Sequence, residues 1–333
     1  MGVGSVHTSD LDAFVAEVDE LGGIAAPEAV AWTADFSMDF DTEVDTTLDG
    51  FAPTYAAQQL ALYGELSGRT LDQEVNEQTD FAIDEAVNHV NPYVSGDTQR
   101  VAHHARTILT SILVTDIPAG ARVLDMGCGW GMSTEMFAFS GCDVTAVDIN
   151  PDFLEVVERR AAPRGYPVTT VRSAFDDFTS DEQFDLVFFF ECLHHAVDPV
   201  HTLQRLAANV APGGKIAFAG EPVQSLWWPS WGLRLDAQSV YCIHKFGWFE
   251  SGWSATHLTE CFARAGFELT MMTGIGLRHS PIGVAVREGE PEPSAHWAVP
   301  RDPDAPPPEP VVERHQSPAE RVARAIGHRL FPS

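Results

Sequence analysis

Three glycines at alternate positions form the densest chemical signal in the sequence. Gly127, Gly129 and Gly131 lie in the segment VLDMGCGWGMS, directly after a hydrophobic run that contains Asp125 near its end. Glycine tolerates a positive φ and lets the backbone approach a ligand closely, because it has no Cβ atom. If a helix begins at Trp130, its free N–H groups would face an anionic group. The segment therefore predicts a backbone surface that lies against a cofactor.

Two classes of cofactor use a glycine-rich turn of this kind. The dinucleotide fingerprint G-x-G-x-x-G requires a glycine at its sixth position, which counted from Gly127 is Met132. The observed pattern is instead D-x-G-x-G-x-G. Asp148 ends the next apolar run, 21 residues after Gly127, and a carboxylate there can bind both ribose hydroxyls in either class. The glycine spacing therefore separates the two classes, and Asp148 does not.

The elements that must position these residues follow from the middle of the chain, where short apolar runs alternate with amphipathic segments. The apolar runs are ARVLDMG, CDVTAVDI, PVTTVRS, FDLVFFF, GGKIAFAG, FELTMMT and PIGVAVR. Alternation of this kind predicts an α/β fold, in which helices cover both faces of a mostly parallel sheet. The last two runs have no helix between them, which indicates an antiparallel edge strand. We expect a Rossmann-like, doubly wound, seven-stranded sheet with ligands at the carboxyl ends of its strands.

Taken together, these motifs resemble the bacterial class I S-adenosylmethionine-dependent methyltransferases, of the type 11 and type 12 kind. The resemblance covers residues 118–287, about half of the chain, and includes FDLVFFFECLHH, VAPGGKIAFAGEP and LTECFARAGFELT in the family's order. It implies S-adenosylmethionine as the cofactor, with Asp125 either orienting the glycine turn or reaching the cofactor's ammonium group. The cofactor-binding residues that it implies are Asp125, Gly127, Gly129, Gly131, Asp148, Ile149, Ser173, Phe175, Asp176 and Phe190.

One position departs from the pattern of that family. An acidic residue often follows the third strand there and contacts the adenine amino group, whereas Ser173 occupies the position here. Asp176 lies three residues further on and is a substitute. Phe175 is an alternative that would flank the adenine ring.

Two adjacent histidines are the candidates for catalysis. Methyl transfer to a hydroxyl is an in-line displacement, so the protein positions the acceptor and supplies a base, a task that suits histidine near neutral pH. The resemblance places His194 and His195, in ECLHH, at the edge of the methyl-transfer pocket. We expect one of them to act as the base, with Glu191 either orienting a histidine or capping the turn. In the alternative, His195 packs against the cofactor and His194 hydrogen-bonds the loop.

The acceptor is expected to meet residues that follow the fifth strand. Glu221 lies at the same sheet end as the histidines, and residues 222–253 hold five of the eight tryptophans beside Arg234 and Asp236. Aromatic faces next to charged groups suit a polar ring such as a sugar. A lid on the core and a homodimer contact are the alternatives. The acceptor-binding candidates are Glu221, Trp231, Arg234, Asp236, Tyr63 and Arg69.

A divalent metal site at the same sheet end is a further alternative. Glu221, His194, His195 and Asp236 are oxygen and nitrogen donors that a divalent ion could use. Nothing in the sequence shows that they converge, so the prediction is no metal.

Three regions follow from composition and pattern. Residues 1–115 form an acidic, mainly helical extension or lid, and residues 116–287 form the cofactor-binding domain with its Trp-rich insert at 222–253. Residues 288–333 hold ten of the 22 prolines, which predicts a disordered linker, and Ser317 or Pro318 could begin a short terminal helix.

Charge and cysteine content limit the partners and the compartment. The formal net charge is −28, which repels phosphate backbones and argues against nucleic acid as a partner. The five cysteines are widely spaced and form no CxxC pair, so neither disulfides nor a zinc site are expected. We see neither a span of about 18 apolar residues nor a signal peptide, so no membrane partner and a cytoplasmic location are expected.

We therefore expect an S-adenosylmethionine-dependent methyltransferase that acts on a sugar, glycan or secondary-metabolite hydroxyl. An NAD-dependent oxidoreductase is one alternative, although Met132 argues against it. A non-catalytic methyltransferase-fold binding partner is another, although the intact glycine turn argues against that. The fold does not determine whether the acceptor atom is oxygen, nitrogen or carbon.

Overall fold

The structure, a computed structural model, describes residues 2–78, 81–224, 226–274, 280–291 and 313–314. Its strands are β1 (Ser5–His7), β2 (Ser37–Asp39), β3 (Arg122–Met126), β4 (Asp143–Asp148), β5 (Val168–Arg172), β6 (Phe184–Phe190), β7 (Val210–Ala219), β8 (Trp231–Leu233), β9 (Ser251–Trp253), β10 (Phe267–Met272), β11 (Ile282–Arg287) and β12 (Glu313–Arg314). Its helices are α1 (Leu11–Glu20), α2 (Pro27–Trp32), α3 (Pro53–Ser67), α4 (Gln73–Asn76), α5 (Ile83–Asn88), α6 (Thr98–Thr115), α7 (Met132–Phe139), α8 (Pro151–Ala161), α9 (Pro199–Leu206), α10 (Ala237–Phe246) and α11 (Ala255–Arg264). Short 3-10 turns lie at Thr8–Asp10, Ala162–Arg164, Leu193–His195 and Ala207–Asn209.

The central sheet has the strand order β10-β11-β7-β6-β3-β4-β5-β12. Strands β5, β4, β3, β6 and β7 are parallel to one another, whereas β11 is antiparallel to both β7 and β10. The predicted doubly wound, mostly parallel seven-stranded sheet is therefore confirmed. The two-residue strand β12 adds an antiparallel pairing to β5 that the sequence analysis did not predict.

Burial on both faces explains why the apolar runs form the centre of the sheet. In β6, Leu186, Val187, Phe188 and Phe189 are all fully buried. Their side chains alternate between two apolar clusters, since Val187 and Phe189 belong to one and Leu186 and Phe188 to the other. A parallel strand covered by helices on both faces is apolar throughout for this reason.

Local capping sets where the helices of this domain begin. The Asn150 side chain accepts the N–H of Asp152, and Pro151 occupies the first position of α8, which confirms the predicted start. Asp198 and Pro199 begin α9 in the same way. α8 begins soon after β4 ends, and α9 begins after the 3-10 turn Leu193–His195 that follows β6, so both starts fix loops at the carboxyl edge of the sheet.

The insert after β7 packs against the helices at the beginning of the chain. Its strands β8 and β9 form a hairpin-like antiparallel pair, and α10 contacts α3 and α1. The hydroxyl of Tyr55 donates to the carbonyl of Trp231 at 2.5 Å, and that of Tyr63 donates to the carbonyl of Gly247 at 2.5 Å. The insert and the N-terminal helices therefore share one buried interface.

Two further expectations concern the ends of the chain and the membrane. The Pro-rich segment and the short helix expected in 288–333 lie outside the described residues, apart from 288–291 and 313–314. None of the described helices has the length and apolar character to cross a bilayer.

Candidate active site

A cavity of about 330 Å³ opens where β3, β4, β5 and β6 end. This edge includes the point between β3 and β6 at which the strand order reverses, where open α/β sheets bind ligands. The predicted residues that line it are Gly127, Gly129, Asp148, Ile149, Ser173, Phe175, Phe190, Glu191 and His195. Lining residues that the sequence analysis did not select include Gln73, Glu77, Tyr93, Arg100, His104, Trp130, Phe153 and Trp248.

The three glycines have different roles in the turn after β3. Gly127 has a φ of 63°, and a Cβ atom there would lie 2.9 Å from the Cys192 sulfur. Gly131 has a φ of 80°, and a Cβ atom there would lie 2.5 Å from Val157, so this glycine serves close packing against α8 and does not line the cavity. Gly129 lines the cavity with a φ of 47° and open space around it. The turn therefore presents bare backbone to a ligand, as a cofactor cradle requires.

Asp125 is fully buried beneath this turn and does not line the cavity. Its Oδ2 accepts the hydroxyls of Ser133 at 2.7 Å and Thr134 at 2.5 Å, at the start of α7. Burial raises the pKa of Asp125 to about 6, against the lowering effect of these hydrogen bonds. The contacts fit the first of its two expected roles, which is orientation of the glycine turn.

Asp148 ends β4 and lines the cavity with a buried carboxylate. Its Oδ2 accepts the N–H of Gly129 at 2.8 Å, and its Oδ1 accepts the N–H of Asn150 at 2.9 Å. Burial raises the pKa of Asp148 to about 6 despite these two hydrogen bonds. Each oxygen can accept a second donor, so the group fits the two hydroxyls of a ribose.

The adenine side was expected at the end of β5. Ile149, Ser173 and Phe175 line the cavity there. Asp176, the expected substitute for the family's acidic residue, does not line it, because its Oδ1 accepts the hydroxyl of Thr202 at 2.5 Å. Asp176 therefore ties this loop to α9.

An aromatic group that the sequence analysis missed forms another part of the wall. Trp130 and Phe153 line the cavity, and Phe81 packs on both, at ring-centroid distances of 4.4 Å and 4.9 Å. Trp130 interrupts the glycine turn, which is a local signal for a cofactor contact. Phe81 lies in the N-terminal region, and no local signal connects it to the site.

His194 is an internal ion-pair partner and does not line the cavity. Its Nδ1 lies 2.8 Å from Oε2 of Glu221, and its Nε2 lies 3.5 Å from Oε2 of Glu250. Burial opposes the charged ring, but the two carboxylates raise the pKa of His194 to about 10. The ring is therefore an imidazolium near neutral pH and cannot accept a proton.

Glu221 fixes the backbone of the turn that carries both histidines. It is fully buried and accepts the N–H groups of Cys192, Leu193 and His194 at 3.0 to 3.1 Å. Although burial opposes the charge, His194 and these N–H groups hold the pKa of Glu221 below its ordinary value. Glu221 was expected to bind the acceptor. It does not line the cavity and lies behind its wall.

His195 lines the cavity and has a carboxylate beside it. Oε2 of Glu77 lies 3.1 Å from its Nδ1, although the ring nitrogen is not aligned as a hydrogen bond requires. Burial lowers the pKa of His195, but Glu77, aided by Glu250, raises it above its ordinary value. Trp248 of the insert packs edge-on to the ring at 6.3 Å and also lines the cavity. Of the two histidines, His195 has the position of a base.

Glu191, expected either to orient a histidine or to cap the turn, faces His104 of α6. It has a φ of 53°, and its Oε2 lies 3.8 Å from Nε2 of His104. The Glu191 side chain is 38% exposed, yet burial of the carboxylate raises its pKa to about 7. Burial, aided by Arg100, lowers the pKa of His104 to about 4, so a neutral ring faces Glu191.

Five further acceptor candidates lie outside the cavity lining: Tyr63, Arg69, Trp231, Arg234 and Asp236. Each is engaged in building the insert or docking it. Trp231 donates to the carbonyl of Gly50 at 2.7 Å, and Arg69 donates to carbonyls at the end of α10. Arg234 pairs with Asp236 at 3.1 Å, and Asp236 caps α10. Aromatic and charged residue types occur in both a pocket and a docking interface, so composition alone did not separate them.

One group of described residues has donors close enough for a metal ion. His194, His195 and Glu250 each offer an atom within 4.8 Å of the others. Both nitrogens of His194 already face carboxylates, so we interpret the group as ion pairs. The absence of a metal stays a prediction.

Comparison with known proteins relates the chain to transferases. Residues 99–271, just over half of the chain, match the methyltransferase domain family. The ubiquinone biosynthesis O-methyltransferase of Xanthomonas axonopodis pv. citri is 37% identical over 101 residues, which are 30% of this chain and 42% of that protein. The enzyme of the same name from Vibrio vulnificus is 35% identical over 102 residues, 30% of this chain and 43% of that protein. The match thus spans less than half the length of these relatives.

Two solved structures share part of the architecture. The glycopeptide N-methyltransferase MtfA has a TM-score of 0.45 and 16% identity, and the alignment covers 55% of this chain and 90% of that chain. The DhpI complex with SAH has a TM-score of 0.45 and 19% identity, and the alignment covers 66% of this chain and 99% of that chain. Both scores are too low to carry an argument about function. The family match confirms the resemblance found in the sequence and supports S-adenosylmethionine as the expected cofactor, and the chain belongs to the methyltransferase domain family.

Proposed function

We propose that the chain is an S-adenosylmethionine-dependent O-methyltransferase in which His195 is the general base. The observation that carries the proposal is one cavity lined by the bare backbone of Gly127 and Gly129, the carboxylate of Asp148 and the ring of His195. When bound, S-adenosylmethionine supplies a methyl group on a sulfonium, already activated for transfer.

The cavity offers a partner for each part of that cofactor. Asp148 would accept the ribose hydroxyls, and Ile149, Ser173 and Phe175 would surround the adenine. Arg100 lines the cavity from the start of α6, and a guanidinium matches a carboxylate well, so we assign it the carboxylate of the amino-acid portion. Phe190, at the end of β6, completes the proposed cofactor set.

His195 would accept the proton of the attacking hydroxyl. Its ring lines the cavity, whereas His194 is held as an imidazolium between two carboxylates. A histidine base removes a proton more easily from a phenol, with an ordinary pKa of about 10, than from an aliphatic hydroxyl near 16. We therefore favour a phenolic small molecule over a sugar or glycan, and the name O-methyltransferase of the curated relatives agrees with an oxygen acceptor.

The acceptor would enter between the cofactor domain and the layer that covers it. Residues 1–115 and the insert 222–253 share a buried interface, and both contribute to the cavity wall, through Glu77 and Trp248 among others. We propose that these two segments together form the acceptor side of the domain 116–287. The homodimer contact expected as an alternative role of the insert remains untested.

Turnover with two probes tests the proposal. The purified chain is incubated with S-adenosylmethionine and either catechol, as a phenol, or methyl glucoside, as a sugar. We expect S-adenosylhomocysteine and methylated catechol in equal amounts, with less or no product from the sugar. Preferential methylation of methyl glucoside would overturn the phenolic assignment. Binding of NAD in place of S-adenosylmethionine, with no methylated product, would overturn the proposed function itself.

A further inference from the structure

A carboxylate from the N-terminal region lies beside the proposed base. Glu77 follows α4, and its Oε2 is 3.1 Å from Nδ1 of His195. Both residues line the cavity, yet their side chains are only 12% and 18% exposed. Hydrogen bonds at catalytic sites are often poorly aligned until the ligand is bound, so the present angle does not argue against the pair.

The Glu77 side chain is itself held in place from the other side. Its Oε1 accepts the N–H of Phe249 at 3.1 Å and the side-chain amide of Gln73 at 3.2 Å. The same Gln73 amide donates to the carbonyl of His195 at 2.7 Å. Gln73 in α4 and Glu77 directly after this helix therefore hold the backbone and the ring of His195, respectively.

We propose that Glu77 is a positioning residue for His195. Its carboxylate accepts a hydrogen bond from Nδ1–H, which leaves Nε2 of the neutral ring as the base for the acceptor. The inference rests on the proposed function. As the bond between acceptor oxygen and methyl carbon forms, the bond from that carbon to the sulfonium sulfur breaks. The hydroxyl proton moves to Nε2, and the carboxylate of Glu77 stabilises the imidazolium that results. The products are the methyl ether, S-adenosylhomocysteine and a protonated His195.

The charges around His195 single out Glu77. Three groups act on the ring: Glu77 after α4, His194 in the same 3-10 turn and Glu250 just before β9. His194 disfavours the charged ring, and Glu250 favours it less strongly than Glu77 does. Glu77 lies outside residues 99–271, so its role belongs to this chain's own N-terminal region.

Histidine titration by nuclear magnetic resonance tests the pair without any acceptor. The full chain carries ¹³C- and ¹⁵N-labelled histidine, and the signal of His195 is assigned through its loss in His195→Gln. We expect a neutral ring protonated at Nδ1 and a pKa above the ordinary value. In Glu77→Gln, which keeps the shape but removes the charge, the pKa should fall by about one unit or more. Glu77→Asp should retain part of the elevation.

Glu74→Gln is the matched control, because Glu74 lies in α4, three residues before Glu77, and does not line the cavity. It removes one carboxylate from the same segment, and the pKa of His195 should stay at its wild-type value. An equal pKa in wild type and Glu77→Gln, or a ring protonated at Nε2, would overturn the inference. Thermal unfolding of each variant shows whether the fold is intact.

Turnover of catechol against pH separates this inference from the proposed function. In Glu77→Gln the rate at the plateau should fall between about 10-fold and 10⁴-fold, and the acid limb should move to lower pH. A large loss in His195→Ala combined with wild-type behaviour of Glu77→Gln would overturn the positioning role alone. Full activity in His195→Ala would overturn the base and with it this inference.

Discussion

Nδ1 of His194 lies 2.8 Å from Oε2 of Glu221, and this contact gives the two adjacent histidines different environments. The ion pair holds His194 inside the fold, while the same carboxylate accepts three backbone N–H groups of the turn. His195 is thereby placed with its ring on the cavity wall. A buried charge pair thus positions the ring that we propose as the base.

Replacing His195 by alanine should abolish the base and leave the cofactor site intact. We expect turnover to fall by about 10² to 10⁴-fold, the usual contribution of a general base, with the affinity for S-adenosylmethionine changed less than about threefold. Steady-state kinetics and calorimetry on the same preparation measure the two quantities. An equal loss of turnover and of affinity for S-adenosylmethionine would show that His195 supports cofactor binding and not the proton transfer.

The buried ion pairs of His194 should make stability depend on pH. Its pKa in the folded protein is about 10, so the stabilisation is complete below about pH 6.5 and is lost as pH rises towards 10. Glu250 has a folded pKa of about 2, so its contribution is complete above about pH 4.5 and is lost as pH falls towards 2. These two groups alone place the stability maximum between about pH 4.5 and 6.5.

Denaturant unfolding of wild type and His194→Gln between pH 7 and 9 measures this contribution. Relative to the variant, wild type should lose about 1.4 kcal/mol of unfolding free energy per pH unit, because one proton is released. Asp125 and Asp148 have pKa values of about 6, below this pH range, so they add little to the difference. Although burial raises the pKa of Glu191 to about 7 in wild type, His194 lowers it, so the slope is taken from the upper half of the range. Parallel pH curves for the two proteins would rule out a charged His194.

The fold could be predicted because its signals are local. The run FDLVFFF is apolar from Leu186 onward, since that part of the strand is buried on both faces, and Asn150 with Pro151 marks the start of a helix by capping. The antiparallel edge could be predicted because no helix separates the last two apolar runs, whereas the position of β11 between β7 and β10 was not predicted. The pairing of β12 with β5 had no such signal, because two residues carry no periodicity.

The site could be predicted only where chemistry coincides with a strand end. Gly129 and Asp148 were found in this way. Glu77 lines the cavity although it lies more than 100 residues before its partner His195, and Phe81 supports the cavity wall although it lies more than 60 residues before its partner Phe153. Such contacts depend on how the N-terminal helices dock. Trp231 was predicted to bind the acceptor because its ring suits a pocket. In the structure it docks the insert on the N-terminal region by donating to the carbonyl of Gly50.

The docking of the insert on the N-terminal helices should depend on Tyr55. Its buried hydroxyl donates to the carbonyl of Trp231, so Tyr55→Phe leaves that carbonyl without this donor. We expect a loss of about 1–3 kcal/mol in the free energy of unfolding, measured with denaturant. Affinity for S-adenosylmethionine should not change, because Tyr55 does not line the cavity. Unchanged stability would contradict the interface as described.

Chelation tests the group of His194, His195 and Glu250. Because ion pairs already satisfy His194, we expect turnover to be the same after dialysis against EDTA as before it. Metal analysis of the purified chain should give far less than one divalent ion per molecule. Loss of activity in EDTA, restored by a single type of ion, would replace the ion-pair interpretation with a metal centre.

The most direct test of the cofactor site is calorimetric titration of S-adenosylmethionine into wild type, Asp148→Asn and Asp143→Asn. Asp143 begins the same strand that Asp148 ends, so it controls for the loss of one charge from β4. We predict one binding site per chain in wild type and in Asp143→Asn. In Asp148→Asn the affinity should fall by about 10- to 100-fold, which corresponds to the loss of charge-assisted hydrogen bonds. Wild-type affinity in Asp148→Asn, or no binding by the wild-type chain, would contradict the assignment of this cavity to the cofactor.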